Sequence, residues 1–228
     1  MANVKFSVDA GLINRLGKEL VERAETAVSE LIKNAYDADA NIVKVNFIES
    51  DNIGGTLTIE DDGLGMDKEE LIRGFMRISS SDKIHHPVSP EYKRLRAGRK
   101  GIGRFAAQRL GKRLTIFTQK QGAPNALKVE IDWEKYAIDE NLTEIENPLY
   151  EIDKQPKQGT KLIIEELNEA WSNAEIKRVF RYVAELLQPD YLSDRSQNFN
   201  LSSNNSHLAI ATQNDDRFKV NFYKTQDG

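Results

Sequence analysis

A long helical pattern near the N-terminus is the feature that most restricts the fold of this chain. Over residues 9–38, apolar residues recur at spacings of three and four, which predicts helix, with Gly17 as a candidate break. Within it, the stretch SELIKNAYDADA places Glu30, Asn34 and Asp37 within about 60° of one another on the helix surface. A mostly apolar helix that turns two carboxylates and a carboxamide to one side predicts either a functional site or a solvated polar stripe.

Shorter patterns downstream predict a sheet and more helices. Segments with strand character lie at 42–49, 56–63, 113–120, 127–133, 160–167 and 218–223. Helical patterns lie at 67–78, 105–111 and 175–189. The strands follow one another mostly as hairpins, without a regular strand–helix–strand alternation. We therefore predict an α/β (α+β) two-layer sandwich whose mixed, largely antiparallel sheet is covered by helices on one face.

The composition suggests a main domain and a different C-terminal segment. Residues 1–190 are predicted to form one domain, with an irregular segment at about 79–105 that is long enough to be functional or mobile. Residues 191–228 begin with a polar, Asn- and Ser-rich stretch and end with the strand FKVNFY. That strand is a candidate start of a second domain.

Bulk properties exclude several classes of function. The 228 residues carry a net charge of −4, which by itself gives no reason to expect a nucleic-acid partner. Cysteine is absent, which excludes disulfides and thiol catalysis. No apolar run is long enough to span a membrane, and the N-terminus lacks the apolar core of a signal peptide. We expect a cytoplasmic protein, or a piece of one, with no membrane association.

Two glycine-containing motifs follow the polar helix. EDDGLGM (60–66) comes directly after a strand, and its two glycines permit a tight turn and close approach of a ligand, although Asp-Gly turns are also common. GRKGIGRFAA (98–107) precedes a helix, and its backbone N–H groups suit phosphate. The latter matches a relaxed dinucleotide fingerprint, but no strand precedes it, and the chain contains no P-loop string.

The order of these motifs carries more information than any one of them. Along the chain they are E-x-x-x-N-x-x-D on a helix, D-x-G-x-G after a strand, G-x-x-G-x-G in a long loop, and Gly159–Thr160 before a late strand. This arrangement resembles the GHKL superfamily, which contains gyrase B subunits, ninety-kilodalton heat-shock chaperones, histidine kinases, MutL proteins and MORC ATPases. The resemblance covers roughly residues 10–190. It implies a Bergerat ATP-binding fold that uses ATP and Mg²⁺.

The resemblance also implies roles for the polar helix. Glu30 corresponds to the general base that activates the water attacking the γ-phosphate. Asn34 corresponds to the ligand of Mg²⁺, and its carboxamide oxygen is a hard ligand of the kind that ion prefers. Asp37 corresponds to a residue near the nucleotide that organises the site.

Further positions are implied around the base and the phosphates. Asp61, and not Asp62, corresponds to the adenine-binding aspartate, because Gly63 and Gly65 then supply the two glycines of the motif. Other residues implied to border the base are Met66, in the adenine pocket, and Thr160, which supports the aspartate directly or through water. Residues implied to wrap or border the phosphates are Gly98, Lys100, Gly101, Ile102, Gly103, Arg104 and Phe105. Within SSSDK, which resembles a MutL segment near the nucleotide, the implied positions are Ser81 and Lys83.

The implied function is Mg²⁺-dependent ATP binding with slow hydrolysis, in which nucleotide closes a lid and promotes an ATP-dependent homodimer. Gyrase- and MutL-like proteins complete the γ-phosphate site with a lysine from a following domain, so we expect missing C-terminal domains. One alternative is phosphotransfer of the histidine-kinase type, but those kinases usually lack a glutamate at the position of Glu30, and the three histidines lie in predicted loops. Another alternative is a nucleotide-switched binding module with little hydrolysis.

A basic stretch raises the question of nucleic-acid contact. Residues 93–113 contain nine basic residues and no acidic ones, which suits phosphate attraction by a solvated lid and, alternatively, nucleic acid. His85 and His86 have no metal-ligand spacing to other residues, so we interpret them as loop residues.

Overall fold

The computed structural model describes residues 7–77, 86–97, 103–136, 139–186, 210–211 and 218–226. The α-helices in these ranges are α1 (Gly11–Leu20), α2 (Ala24–Asp37), α3 (Lys68–Glu70), α4 (Gly103–Leu110) and α5 (Asn173–Leu186). The strands are β1 (Ile42–Ile48), β2 (Thr56–Asp61), β3 (Gly111–Gln119), β4 (Ala126–Asp132), β5 (Leu149–Ile152), β6 (Gly159–Leu167), β7 (Ile210–Ala211) and β8 (Lys219–Thr225). A π-helical turn, Leu71–Phe75, continues α3.

All of these strands belong to one sheet. Their order is β5-β4-β3-β6-β2-β1-β8-β7, and every neighbouring pair is antiparallel except β1 and β8. In β1, Val43, Val45 and Phe47 are fully buried, whereas Lys44 between them is exposed. The same alternation runs through β2 and β8, as expected for a sheet with helices on one face only. The predicted fold class is therefore confirmed.

The predicted break within the N-terminal helical pattern is misplaced. α1 continues through Gly17 and ends at Leu20, and α2 begins at Ala24. The glycine instead permits close helix packing, because a Cβ at this position would lie 1.7 Å from Oε1 of Gln108 on α4. A glycine that the pattern presents as a helix breaker thus serves the contact between α1 and α4.

The terminal strand does not stand apart from the rest of the sheet. β8 pairs in parallel with β1 from Lys219 opposite Ile42 to Thr225 opposite Ile48. Phe222 packs edge-on against Phe180 of α5, and Lys224 donates to the carbonyl of Trp171 at 2.9 Å. The strand interpreted as a candidate start of a second domain is therefore part of this sheet. The boundary at residue 190 stays a prediction, and the polar stretch before β8 lies outside the described residues except for β7.

β5 is missing from the sequence-based prediction for a physical reason. Its four residues show no alternation of burial, because both faces of this outer strand remain largely accessible. It is also framed by residues such as Pro148 that are typical of loops. Only its pairing with β4, from Val129 opposite Leu149 to Ala126 opposite Ile152, identifies it as a strand.

Candidate functional site

The end of β2 forms the floor of the candidate site. Oδ1 of Asp61 accepts hydrogen bonds from the backbone N–H groups of Gly63, at 2.9 Å, and Thr160, at 3.3 Å. Burial raises the pKa of Asp61 to about 7, even though these two N–H groups favour the charged form. The side chain is only partly accessible, and neither of those two bonds uses Oδ2. A carboxylate held in this way can present an oxygen to a ligand that donates a hydrogen bond.

The neighbouring Asp62 has a different partner set. Its Oδ1 accepts from the backbone N–H groups of Asn41 and Ile42, both at 2.7 Å, and so closes the turn between α2 and β1. The two adjacent carboxylates therefore differ in their contacts. Asp62 stabilises the turn between α2 and β1, whereas Asp61 lies at the candidate site. This arrangement supports the assignment of Asp61 in preference to Asp62, which stays a prediction.

The two glycines of the motif permit the chain to leave β2 in a narrow space. A Cβ at Gly63 would lie 2.7 Å from the carbonyl oxygen of Ala38, at the end of α2. Gly65 adopts a φ of +65°, and a Cβ there would lie 2.0 Å from the carbonyl oxygen of Gln119, at the end of β3. Both positions therefore require glycine, as the sequence pattern suggests.

Thr118 is a residue of this site that the sequence analysis missed. Its Oγ1 accepts a hydrogen bond from the N–H of Met66 at 2.8 Å and lies 3.1 Å from Oγ1 of Thr160. The backbone N–H of Thr160 donates to Asp61, while its hydroxyl meets Thr118; its predicted role in supporting an adenine-binding aspartate stays a prediction. The signal for Thr118 is the register of β3 on β6, which pairs it with Thr160 and cannot be read from the sequence.

The polar face of α2 borders the other end of the site. Oε1 of Glu30 lies 2.7 Å from Nζ of Lys33, and the two side chains are 19% and 15% exposed. Lys33 was also missed, although its position three residues after Glu30 is a detectable signal for an ion pair. Asn34 is half-buried on the following turn. The helix therefore brings a carboxylate, a cation and a carboxamide together.

Asp37 is committed to the protein backbone. Its side chain is 5% exposed, and its Oδ1 accepts a hydrogen bond from the N–H of Ala97 at 2.7 Å. Ala97 is the last described residue before the glycine-rich segment. Asp37 thus holds the chain that leads into the predicted phosphate loop, which is one way for it to organise the site.

The segment 86–97, in the middle of the predicted lid, is anchored to the turn after α2. The carboxylate of Asp39 accepts from the N–H groups of Glu91, at 2.7 Å, and Tyr92, at 3.2 Å. Nη1 of Arg94 donates to the carbonyl of Ala40 at 2.5 Å, and the Arg94 guanidinium lies 4.8 Å from the ring centroids of Tyr36 and Tyr92. This part of the segment is therefore held in place, while the extent of the lid stays a prediction.

The structure describes only some of the residues that are predicted to border the phosphates. Ser81, Lys83, Gly98, Lys100, Gly101 and Ile102 lie outside the described residues. Gly103 begins α4, and Arg104 follows in the same helix. Phe105 is 4% exposed and belongs to the hydrophobic core, which favours a packing role for its side chain. The N-terminus of α4 still directs backbone N–H groups toward the segment before it.

The donor set fits a magnesium ion that arrives with a nucleotide. The described residues contain no group of three or more His, Cys, Asp or Glu side chains that could hold a metal ion. A site with Asn34 as its protein ligand would leave the remaining positions to waters and phosphate oxygens, which Mg²⁺ accepts. The residues present thus fit the predicted ion.

Several described basic residues of the stretch 93–113 are buried or paired with carboxylates, whereas Lys93 is exposed. Arg94 is buried among aromatic rings, and Arg109 pairs with Glu169 at 2.5 Å. Lys112 pairs with Glu134 at 3.2 Å, and Arg113 pairs with Glu166 at 2.9 Å. The alternative of nucleic-acid contact gains no support from these residues. Nor does any described helix combine the length and apolar character needed to cross a bilayer.

Comparison with known proteins agrees with this geometry. Residues 21–162 match the family model described as histidine kinase-, DNA gyrase B-, and HSP90-like ATPase. The matched range includes α2, the β2 motif and α4, so it contains most of the candidate site.

Individual relatives are longer proteins. The chain is 38% identical over 88 residues to the DNA mismatch repair protein MutL of Methanocorpusculum labreanum, covering 38% of this chain and 15% of the relative. It is 26% identical over 216 residues to the putative type II restriction enzyme HgiDII of Herpetosiphon aurantiacus, covering 92% and 31%. It is 32% identical over 135 residues to the ATPase morc-1 of Caenorhabditis elegans, covering 58% and 14%.

The chain therefore spans less than a third of the length of each of these relatives. The family match covers more than half of the chain, and the resemblance inferred from the motifs is confirmed. This chain belongs to the GHKL family of histidine kinase-, gyrase B- and HSP90-like ATPases.

Proposed function

We propose that this domain binds ATP with Mg²⁺ and hydrolyses it slowly, using water as the acceptor. The observation that carries the proposal is Asp61, a partly accessible carboxylate held by two backbone N–H groups at the end of a central strand. A carboxylate in this position is chemically suited to accept a hydrogen bond from the exocyclic amine of adenine. Gly63 and Gly65 let the backbone that follows Asp61 pack closely against Ala38 and Gln119.

Glu30 is the proposed general base. Its carboxylate lies on α2 one turn before Asn34, so the base and the proposed magnesium ligand share one helix face. When bound, Mg²⁺ would neutralise negative charge on the β- and γ-phosphates. Glu30 would orient the attacking water and accept its proton, which requires at least one carboxylate oxygen to be available beside the Lys33 pair.

Hydrolysis is a better proposal than phosphotransfer to histidine. A glutamate that activates water works against a kinase, which must keep water from the γ-phosphate. His86 is the one histidine within the described ranges, and it lies outside any helix. The described residues therefore show no phospho-acceptor helix.

We further propose that nucleotide binding closes the lid and promotes a homodimer. Segment 86–97 is tied to α2 through Asp37 and Asp39, so a ligand at the polar face of α2 lies next to the tethers of this segment. The relatives are longer than this chain, and we propose that a further domain would supply a γ-phosphate lysine. For these 228 residues alone we expect ATP binding with slow turnover.

The test is calorimetric titration with ADP and a non-hydrolysable ATP analogue, each with Mg²⁺. Asp61→Asn should weaken binding by about tenfold to a hundredfold, because an amide donor would then face the amine of adenine. Asp62→Asn is the matched control: its amide oxygen can still accept from Asn41 and Ile42, so its affinity should match wild type. Absence of binding to the wild type, or equal losses in both variants, would refute the proposed pocket.

Inosine diphosphate tests which part of the base is recognised. Inosine carries a carbonyl oxygen where adenine carries the amine, so Asp61 would meet an acceptor instead of a donor. The wild type should therefore prefer ADP over inosine diphosphate. Equal affinities would argue against recognition of the amine by Asp61.

A further inference from the structure

Thr118 occupies the junction of three elements that form the floor of the site. It lies near the end of β3, is 2% exposed, and pairs across the sheet with Thr160 of β6. Its side chain points to the chain segment that follows β2, where it accepts from the N–H of Met66 at 2.8 Å. A single hydroxyl thus joins β3 to the D-x-G-x-G segment and to β6.

The hydroxyl of Thr118 is engaged as an acceptor and has acceptors in reach of its proton. A threonine hydroxyl offers one proton and two acceptor lone pairs. The Oγ1 of Thr118 accepts from Met66, and its proton has two possible acceptors, Oγ1 of Thr160 at 3.1 Å and the carbonyl oxygen of Gly159 at 3.4 Å. Its loss would leave the N–H of Met66 without this acceptor and would release the side chain of Thr160.

We propose that Thr118 is a positioning residue of the nucleotide pocket, whose hydroxyl fixes the backbone of Met66 and the side chain of Thr160 beside Asp61. The pocket role rests on the proposed function, since it assumes that adenine lies against this floor. The tie between Thr118 and Met66 is independent of that assumption.

The geometry gives this tie a specific consequence for Asp61. The two donors to Oδ1 of Asp61 are the N–H groups of Gly63 and Thr160. Gly63 belongs to the segment after β2 and Thr160 belongs to β6, and Thr118 is hydrogen-bonded to both of these elements. Gly65 also packs directly on the backbone of Gln119, next to Thr118. If the Met66 segment moved away from β3, the backbone that holds the Asp61 carboxylate would lose its support. Thr118 therefore acts on the ligand through other residues and does not need to touch it.

Three variants separate the hydroxyl from the rest of the side chain. Thr118→Val keeps the shape and removes the hydroxyl, whereas Thr118→Ser keeps the hydroxyl and removes the methyl group. Thr115→Val is the matched control, because Thr115 lies on the same strand but on the opposite, helix-free face of the sheet. If Thr118→Val does not fold, Thr118→Ala carries the same test with a smaller side chain.

Two readouts test the proposal: hydrogen exchange of the Met66 amide in nucleotide-free protein, and ADP affinity by calorimetry. In Thr118→Val the Met66 amide should exchange about tenfold faster and ADP should bind about tenfold more weakly, since one neutral hydrogen bond is lost. Thr118→Ser should stay within about twofold of wild type in both readouts, and Thr115→Val should not differ.

Opposite results would overturn the proposal. An unchanged Met66 amide and unchanged ADP affinity in folded Thr118→Val would show that the hydroxyl positions nothing. An equal loss in Thr118→Ser would assign the effect to the methyl group and its packing. A wild type that does not bind ADP would refute the proposed function and with it the pocket role, while the exchange rate would still decide whether Thr118 holds Met66.

Discussion

The two ends of the candidate site are built in different ways. At the proposed adenine end, Asp61 and Thr160 lie at the ends of neighbouring strands and share a backbone hydrogen bond, and Thr118 holds Met66 and Thr160. At the proposed phosphate end, segment 86–97 is held by carboxylates: Asp37 accepts from Ala97, and Asp39 accepts from Glu91 and Tyr92. Strand register fixes one end, and side-chain tethers fix the other.

This difference suggests that the two ends of the candidate site have different roles. Groups that are fixed before a ligand arrives contribute to affinity without a further cost of ordering. Tethers that consist of a few side-chain hydrogen bonds can be rearranged at a modest cost, which is what a nucleotide-dependent switch requires. We therefore expect the proposed adenine end to determine the affinity for nucleotide. The proposed phosphate end should determine the conformational change that follows nucleotide binding. The predictions below test these different roles, from the largest expected effect to the smallest.

Removing the proposed base should separate binding from turnover. Glu30→Ala should lower the ATPase rate by about a hundredfold to ten-thousandfold, the range for loss of a general base, and leave ADP affinity within a fewfold of wild type. Steady-state phosphate release and calorimetry measure the two effects. ATP turnover that survives in Glu30→Ala would indicate another general base. Lys33→Ala is the control, because it breaks the same ion pair and keeps the carboxylate, so it shows how much of any change in binding comes from that pair.

A glycine at the adenine end should tolerate no side chain. Gly65→Ala should reduce the free energy of unfolding by about 3 kcal/mol, because its φ of +65° disfavours alanine and the new Cβ would collide with the backbone of Gln119. Gly74→Ala is the matched control, with no atom within 4 Å of its Cβ and an expected change below about 1 kcal/mol. Chemical denaturation measures both, and a Gly65→Ala protein as stable as Gly74→Ala would contradict the tight fit.

The raised pKa of Asp61 should make stability depend on pH. The nucleotide-free native state keeps the proton of Asp61 up to a pKa of about 7, whereas the unfolded chain releases it near 3.8. This contribution to stability is therefore fully present below the unfolded pKa and is lost as pH rises through 7. Relative to Asp61→Asn, which does not titrate, the wild type should lose roughly 2–3 kcal/mol between pH 5 and pH 8.

Denaturant unfolding at four pH values between 5 and 8 measures this difference. A wild type that gains stability relative to Asp61→Asn as pH rises would show that the native state favours the charged carboxylate.

The tether at Asp39 should affect the phosphate end more than the adenine end. Asp39→Ala removes two hydrogen bonds and should cost about 1–2 kcal/mol of stability, whereas Asp39→Asn keeps one acceptor and suits the positive φ of 60° at this position. ATP affinity should fall several-fold in Asp39→Ala, while adenosine affinity should stay within about twofold. Equal losses for both ligands, measured by calorimetry, would remove the distinction between the two ends.

Much of the fold was predictable because its signals are local. The alternation in β1, β2 and β3 and the apolar periodicity of α2 reflect which side of each element faces the core, and neither depends on distant residues. Gly63 and Gly65 stand out in the sequence as a glycine motif, although the contacts that exclude a side chain there, with Ala38 and Gln119, join distant segments. For these strands and helices, the local sequence pattern is enough to predict the type of element. In α2 it also predicts the polar side that would face a ligand.

The rest depends on contacts between segments that lie far apart in the sequence. The parallel pairing of β8 with β1, the pairing of Thr118 with Thr160, and the attachment of segment 86–97 to Asp39 all join residues more than forty positions apart. No local pattern encodes which strands become neighbours or in which register, since that choice is made by the packing of the whole sheet against its helices. The sequence alone determined the family, the polar helix and the glycine turn, whereas the tertiary structure decided which hydrogen bonds hold Asp61 and which residues anchor the predicted lid.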